Sequence, residues 1–141
     1  MNVASTEIAT AAVEFWRQGL PEDEVNSRLK STIQYAKISG LEFDEAAELI
    51  TAATNTMEIS AKRAADVFAY LGDASASGAD EIGIAMQKAS ASAVEFGLSF
   101  EWLGAYIATI SEKTRQAPEV IGTSINSIMA RLHSIKAKGY N

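Results

Sequence analysis

Apolar residues recur along most of this 141-residue chain at alternating spacings of three and four, the period of an α-helix with one buried face. The two clearest runs share a four-three-four-three spacing and consist of Ile82, Met86, Ala89, Ala93 and Phe96, and of Ile121, Ile125, Ile128, Leu132 and Ile135. No series of short alternating runs bounded by turns, the sign of β-strands, accompanies them. The pattern predicts an all-α fold of about seven short helices, arranged as an irregular bundle or as an array of helix-turn-helix units.

Capping residues divide this pattern into seven helices. Serine, threonine and aspartate accept hydrogen bonds from the first N–H groups of a helix, proline fits the first turn, and glycine ends a helix in the left-handed conformation. The helices are predicted from Ser5 or Thr6 to Gln18, Pro21 to Gly40, Asp44 to about Met57, Ser60 to Gly72, about Asp80 to Gly97, Ser99 onward and Pro118 onward. The stretch GDASASG at 72–78 is the most loop-like in the chain.

One short mark recurs between these helices, as GLPEDE at 19–24, GLEFDE at 40–45 and GLSFEW at 97–102. Acids with a catalytic role would be expected close to other polar side chains, whereas a motif with a structural role would lie between two helices. Each copy falls at a predicted helix boundary, so we interpret Gly19, Gly40 and Gly97 as helix joints. The acids then stand in the first turn of the next helix, at the positive end of its dipole.

The second and third marks are part of a longer internal repeat. Its matching residues all lie the same number of positions apart along the chain, namely the number that separates Gly40 from Gly97. We name this separation the repeat offset. The matching positions are Ala36, Gly40, Leu41, Phe43, Asp44 and Ile50 with Ala93, Gly97, Leu98, Phe100, Glu101 and Ile107. A helix-turn-helix unit therefore appears twice, which favours an α-helical array in which one unit packs on the next. A solenoid usually has three or more copies.

Charge and cysteine content narrow the function. The chain has no cysteine, which excludes disulfides, thiolate nucleophiles and cysteine-ligated metals. The net charge of −6 is uneven, because residues 113–141 carry five basic residues against one acid and the rest of the chain is strongly acidic. An acidic body disfavours a broad nucleic-acid surface, since phosphate contacts drive most of that affinity. The basic end is typical of cations that complement the dipole of a last helical turn.

Residues with catalytic potential are sparse. His133 is the only histidine, and no acid lies three or four residues from it, so a Ser-His-acid triad is not indicated. Glu45 and Glu48 belong to the solvated side of their helix, and the GDASASG stretch lacks the lysine and spacing of a phosphate-binding loop. We therefore predict a protein that is not an enzyme and that has no cofactor, metal or small-molecule substrate.

Two sets of apolar residues are candidates for a self-association or partner surface. Ile121, Ile125, Ile128, Leu132 and Ile135 occupy two heptads of a/d positions, the seam of a coiled coil or of tight helix packing. Trp102 and Tyr106 form a second stripe in the densest aromatic cluster, which also holds Phe96 and Phe100. That cluster is either core or a docking patch, because tryptophan and tyrosine are favoured in interface centres. The double substitution Ile125→Asp with Leu132→Asp is predicted to weaken oligomerisation or folding.

Three motifs, in this order and spacing, resemble the helical core region of bacteriophage tail tape measure proteins. They are ADVFA at 65–69, AVEFGLS at 93–99 and GTSINSIMARL at 122–132. The chain departs from the family's pattern at Ile125 and Asn126, where the family has Leu-Arg. The resemblance covers residues 20–138. It implies that 1–141 is one all-helical module of a much longer chain, with a further N-terminal helix in 1–19.

The resemblance implies a structural role in a phage or prophage tail. Tape measure proteins occupy the lumen of a growing tail, and their length sets how many tail-tube rings polymerise. The implied partners are other copies of the chain and tail-tube or chaperone proteins, in the virion tail and, during assembly, in the host cytoplasm. Two alternatives stay open: a small secreted helical-hairpin protein with a Trp-x-Gly turn at 102–104, and a membrane-active genome-delivery segment in the weakly charged window 82–111.

Overall fold

The structure, a computed structural model, describes residues 5–75 and 77–139. Those residues form α1 (Ser5–Arg17), α2 (Glu22–Ser39), α3 (Phe43–Met57), α4 (Ala61–Ala74), α5 (Ala79–Phe96), α6 (Phe100–Thr114) and α7 (Pro118–Ala137), and no strand. The predicted all-α fold with seven helices is confirmed. Each helix except α3 starts within one residue of the position that the capping pattern indicates.

Glycine in the left-handed conformation ends α1, α2 and α5. Gly19, Gly40 and Gly97 have φ angles of 77°, 76° and 87°, a region that a side chain with a Cβ rarely adopts. At the third joint the N–H of Leu98 donates to the carbonyl oxygen of Ala93 at 2.8 Å, which closes a Schellman motif. The glycine-leucine mark is therefore a helix stop whose leucine folds back on the helix that has ended.

Two predicted boundaries are wrong. Asp44 does not cap α3: Glu42 occupies the cap position, and its N–H donates to the carboxylate of Glu45 at 3.1 Å. Gly72 does not end α4, which continues beyond it. Gly72 is needed inside the helix because α5 begins against it, and a Cβ at Gly72 would lie 2.5 Å from the nitrogen of Ala79. The loop between α4 and α5 is consequently shorter than the composition of 72–78 indicates.

The chain repeats as three-helix units, one repeat offset apart. Shifted by that offset, the bounds of α2 become those of α5, and the bounds of α3 become those of α6. The first residues of α4 and α7, Ala61 and Pro118, are related in the same way. The repeat seen in the sequence thus extends to a third helix. We name α2–α4 the first unit and α5–α7 the second unit.

Contacts and backbone angles follow the same period. α2 packs on α3 and α4 as α5 packs on α6 and α7. α1 contacts α2 and α3 as α4 contacts α5 and α6, so α1 takes the position of the third helix of a preceding unit. The two described non-glycine residues with positive φ, Glu58 at 54° and Arg115 at 57°, are also separated by the repeat offset. Phe43 and Phe100 are equally buried.

The centre of the core lies where the two units meet. Phe68 of α4 stands between Tyr35 of α2 and Phe100 of α6, with ring centroids 5.0 and 5.5 Å away. All three side chains are at most 2% exposed. Aromatic rings at these separations contribute attraction beyond the area that they bury. α4 therefore joins the first helix of one unit to the second helix of the next.

Tyr35 also ties the units together through its hydroxyl group, which donates to the carbonyl oxygen of Ala79 at 2.8 Å. Burial, and secondarily the charge of Asp80, raises the pKa of Tyr35 above its ordinary value. The unfolded chain loses this proton near pH ~10, whereas the folded chain keeps it. The contribution of Tyr35 to stability is therefore complete below about pH 10 and is lost as the pH rises further.

We expect Tyr35→Phe to remove that alkaline loss. Urea unfolding between pH 8 and pH 11 measures it: the wild-type chain should lose free energy of unfolding more steeply above pH ~10 than the variant does. At pH 8 the variant should be less stable by about 0.5–1.5 kcal/mol, the usual worth of one hydrogen bond. Tyr106→Phe, at a half-exposed ring, is the matched control. Parallel pH profiles for wild type and Tyr35→Phe would contradict the role of this hydroxyl group.

Candidate association surface

The apolar residues of α7 divide into a buried and an exposed set. Ile121 and Ile125 are 1% and 9% exposed and belong to the core, whereas Ile128, Leu132 and Ile135 are 58%, 45% and 47% exposed. The heptad pattern indicates one continuous seam. In the structure its first half holds the chain together, and its second half faces outward.

This division follows from the way α7 lies on α5, its most extensive partner. Gly122 approaches the backbone of Ala85, and further along both helices the hydroxyl group of Ser92 donates to Asn126 at 2.6 Å. The two helices therefore run in the same direction. α5 ends one turn after Ser92, so α7 continues past its neighbour, and every residue in 130–139 is exposed. Its last apolar residues have no partner helix among the described residues.

The aromatic cluster is also divided. Phe100 is buried, whereas Phe96, Trp102 and Tyr106 are 44%, 60% and 48% exposed. The rings of Trp102 and Tyr106 contact each other one helical turn apart, with centroids 5.9 Å apart. Both lie on α6, which packs against α7. The sequence leaves open whether this cluster is core or a docking patch. In the structure one of its residues belongs to the core and the other three belong to the surface.

The outer part of α7 combines apolar and basic side chains. Arg131 and Lys136 flank Leu132 and Ile135 along the exposed turns. Cations in these turns complement the negative end of the helix dipole. The surface is therefore amphipathic and positive, in a chain whose first unit is acidic.

One acid of the glycine-leucine marks has a distant partner, which sequence reasoning missed. Glu101, in the first turn of α6, accepts a hydrogen bond from the guanidinium group of Arg63 on α4. Partial burial alone would raise the pKa of Glu101, but the hydrogen bond from Arg63, a hydrogen bond from the backbone N–H of Glu101 and the charge of Arg63 together outweigh it, and the pKa is lowered. The pair is solvent-exposed, so it contributes little to the stability of the fold. The two residues are far apart along the chain, and no local pattern connects them.

The alternative of a Trp-x-Gly turn does not agree with the structure. Trp102 to Gly104 lie inside α6, not between two helices. Gly104 is buried because the side chain of Leu71 packs where a Cβ would stand. Because Gly104 has no side chain, α4 of the first unit and α6 of the second unit can pack closely.

Within 5–75 and 77–139, no helix has both the length and the apolar character needed to cross a membrane. The same residues contain no group of three or more histidine or acidic side chains placed to hold a metal ion.

The family model described as phage-related minor tail protein matches residues 1–139. No solved structure matches the chain.

Proposed function

We infer the function of this chain from its family: it belongs to the phage-related minor tail proteins, and its role is that of a structural component of a phage tail. Within that role we propose that it is a segment of a tape measure protein that acts by helix–helix association during tail assembly and length determination. The three tape-measure-like motifs support this proposal, since each lies on a helix or joint of the repeated units.

The observation that carries the proposal is the exposed apolar side of the second unit. Five large apolar side chains there are 45–60% exposed: Trp102, Tyr106, Ile128, Leu132 and Ile135. Isolated apolar residues at a surface need no explanation, but a concentration on two neighbouring helices is typical of an interaction site. Proposed partners are other copies of the chain and tail-tube or chaperone proteins, in the virion tail and, during assembly, in the host cytoplasm.

We expect the double variant Ile128→Glu with Leu132→Glu to weaken self-association without unfolding the chain. Both side chains are exposed, so their replacement should change the free energy of unfolding by no more than about 0.5 kcal/mol each. If they are central to the interface, each should cost about 2 kcal/mol of association, which is roughly 30-fold in the dissociation constant. Sedimentation equilibrium of wild type and variant measures the association, and thermal unfolding measures the fold.

The matched control is Ser124→Glu with Ser127→Glu, which adds the same charge at exposed polar positions of the same helix. Ile125→Asp is unsuitable for this purpose, because Ile125 is part of the core and its replacement tests folding. A wild-type chain that stays monomeric at all concentrations, or a double variant that associates as the wild type does, would refute self-association through this surface.

A further inference from the structure

We propose that a second copy of this chain docks head-to-tail on α6 and α7, as a continuation of the three-helix repeat, and that α7 of one copy takes the place of α1 in the next. The inference deepens the proposed function and rests on its premise that the chain associates with itself. It adds the partner surface and the register of that association.

The interface between the first and second units shows what covers the outer sides of the second and third helices of a unit. Leu49 of α3 packs on α5, with its Cδ1 atom 3.1 Å from the place of a Cβ on Gly83. Leu71 of α4 packs on α6 at Gly104. Leu49 is 6% exposed, and Leu71 is half-buried against the core. In the first unit, then, the outer sides of the second and third helices are covered by the first two helices of the unit that follows.

The same positions of the second unit are uncovered. The residues one repeat offset after Leu49 and Leu71 are Tyr106 and Ile128, which are 48% and 58% exposed. Other equivalent positions keep their burial in the core: Ile50 is 0% exposed and its equivalent Ile107 is 1% exposed. The exposure at Tyr106 and Ile128 therefore falls on positions that the repeat assigns to contact with a further unit.

A second copy can supply that further unit through α2 and α3, which are equivalent to α5 and α6. In this register Tyr106 faces Asn26, the equivalent of Gly83, and Ile128 faces Ala47, the equivalent of Gly104. Ala47 is small, as the contact with a large apolar side chain requires. Asn26 is exposed and polar, and a tyrosine hydroxyl group at an interface usually finds such a partner.

α1 occupies part of the place that this docking needs, and it is weakly held there. Among its described residues only Phe15 is buried. The groove between α1 and α3 is lined by the acids Glu7, Glu14, Asp44 and Glu48 and by no basic residue. Like charges facing each other disfavour this contact. α7 has the same place in its own unit, and in this register it would bring Ile121 to the position of Glu7 and Ile128 to the position of Glu14, so that apolar residues replace two of these acids.

The absence of cysteine allows a direct test of the register. Glu48 accepts a hydrogen bond from Gln87 across the interface between the units at 3.3 Å. The equivalent pair between copies is Ala105 of one chain and Lys30 of the next. We expect a thiol-specific bifunctional cross-linker to join Lys30→Cys protein to Ala105→Cys protein in an equimolar mixture, and to join neither protein to itself. Tyr106→Glu added to the Ala105→Cys chain should weaken the association about 30-fold.

The outcomes separate this inference from the proposed function. Cross-linking only in the mixture supports the head-to-tail register, because a heterologous contact pairs different residues. Cross-linking of either single variant with itself indicates a twofold-symmetric contact and overturns the register while self-association stands. Association in sedimentation equilibrium without any cross-link overturns the register as well. No association at all removes both the inference and the proposed self-association.

The exchange of α1 for α7 has its own test, in which the expected sign is unusual. Glu14→Leu adds an apolar residue to the surface, which ordinarily promotes association. Here it should strengthen the docking of α1 on its own α3 and therefore weaken the association between copies by about tenfold, the worth of one partly buried leucine. Ala9→Leu, at an exposed position of the same helix that does not line this groove, controls for added apolar surface. Stronger association of the Glu14→Leu chain would overturn the exchange.

Discussion

Replacing Phe68 by alanine is expected to lower the free energy of unfolding by about 3–5 kcal/mol, the range for a buried phenylalanine. Phe68 is 1% exposed and contacts the rings of both Tyr35 and Phe100. Its removal leaves a cavity at the point where the two units meet, which the surrounding helices can only partly fill. Since a domain of this size is stable by about 5–15 kcal/mol, the loss is a large part of the total. Urea unfolding followed by circular dichroism measures it.

The matched control for this substitution lies on the same helix. Tyr70 is 72% exposed, so Tyr70→Ala should change the stability by no more than about 0.5 kcal/mol. Because α4 contacts helices of both units, Phe68→Ala should lower the midpoint of one common transition for the whole chain. A loss below about 1 kcal/mol, or a variant in which only one unit becomes less stable, would show that the units do not share this core.

The helices and joints could be predicted from the sequence because their causes are local. A glycine with positive φ ends a helix whatever lies around it, and a serine such as Ser60 or Ser99 binds a backbone N–H three residues away. The boundary at Gly72 has a non-local cause. This glycine has the sequence character of a helix stop, yet it is required by the approach of α5, and only the tertiary structure shows that contact.

The buried faces were harder to predict, because periodicity gives the direction of a face and not the neighbour that covers it. The apolar spacing of α2 predicts an inner face of Val25, Leu29, Ile33 and Ala36. Val25 and Ala36 are fully buried and Leu29 and Ile33 are only half-buried, whereas Tyr35, outside that face, lies at the centre of the core. α2 contacts helices on several sides, so residues outside the predicted face are as fully buried as residues within it. Phe96 belongs to a regular apolar run but stands in the last turn of α5, where no helix covers it among the described residues.

The candidate surface shows the same limit. The heptads of α7 predict one continuous seam, but the sequence does not say that α5 ends beside the middle of that run and leaves its second half exposed. The repeat offset is visible in six pairs of positions, all within the first two helices of each unit. The third helix gives no such signal because its equivalent residues differ in size, as Ala64 and Ile121 or Ala65 and Gly122 do. These residues of α4 and α7 are recognised as equivalent only from their positions in the fold.

Gly122→Leu is expected to separate α7 from α5 and to cost at least about 2–3 kcal/mol, the upper range for overpacking. A Cβ at Gly122 would overlap the carbonyl oxygen of Ala85 and lie 2.9 Å from the Cβ of Lys88. The backbone of α5 cannot move aside as a flexible side chain can. Replacing glycine by leucine stabilises the helix by about 1 kcal/mol at most, so the cost of the overlap outweighs the gain in helix propensity. The hydrogen bond between Ser92 and Asn126 should be lost with the contact.

Hydrogen exchange distinguishes this local separation from general unfolding. Amide protons of α7 should exchange faster in Gly122→Leu, while those of α2 and α3, which have no close contact with α7, should keep most of their protection. Ser127→Leu places the same side chain at an exposed position further along α7 and should leave the exchange of the helix unchanged. Equal loss of protection in all seven helices would contradict a local separation.

The proposed exchange of α7 between copies adds a second consequence of the same substitution. Once α7 is released from α5, its docking surface is no longer held in position for a second copy. Gly122→Leu should therefore also reduce head-to-tail cross-linking. Gly122 itself is buried and lies outside the exposed surface, so the substitution acts on the association only through the position of α7. Undiminished cross-linking together with a released α7 would mean that α6 alone carries the contact between copies.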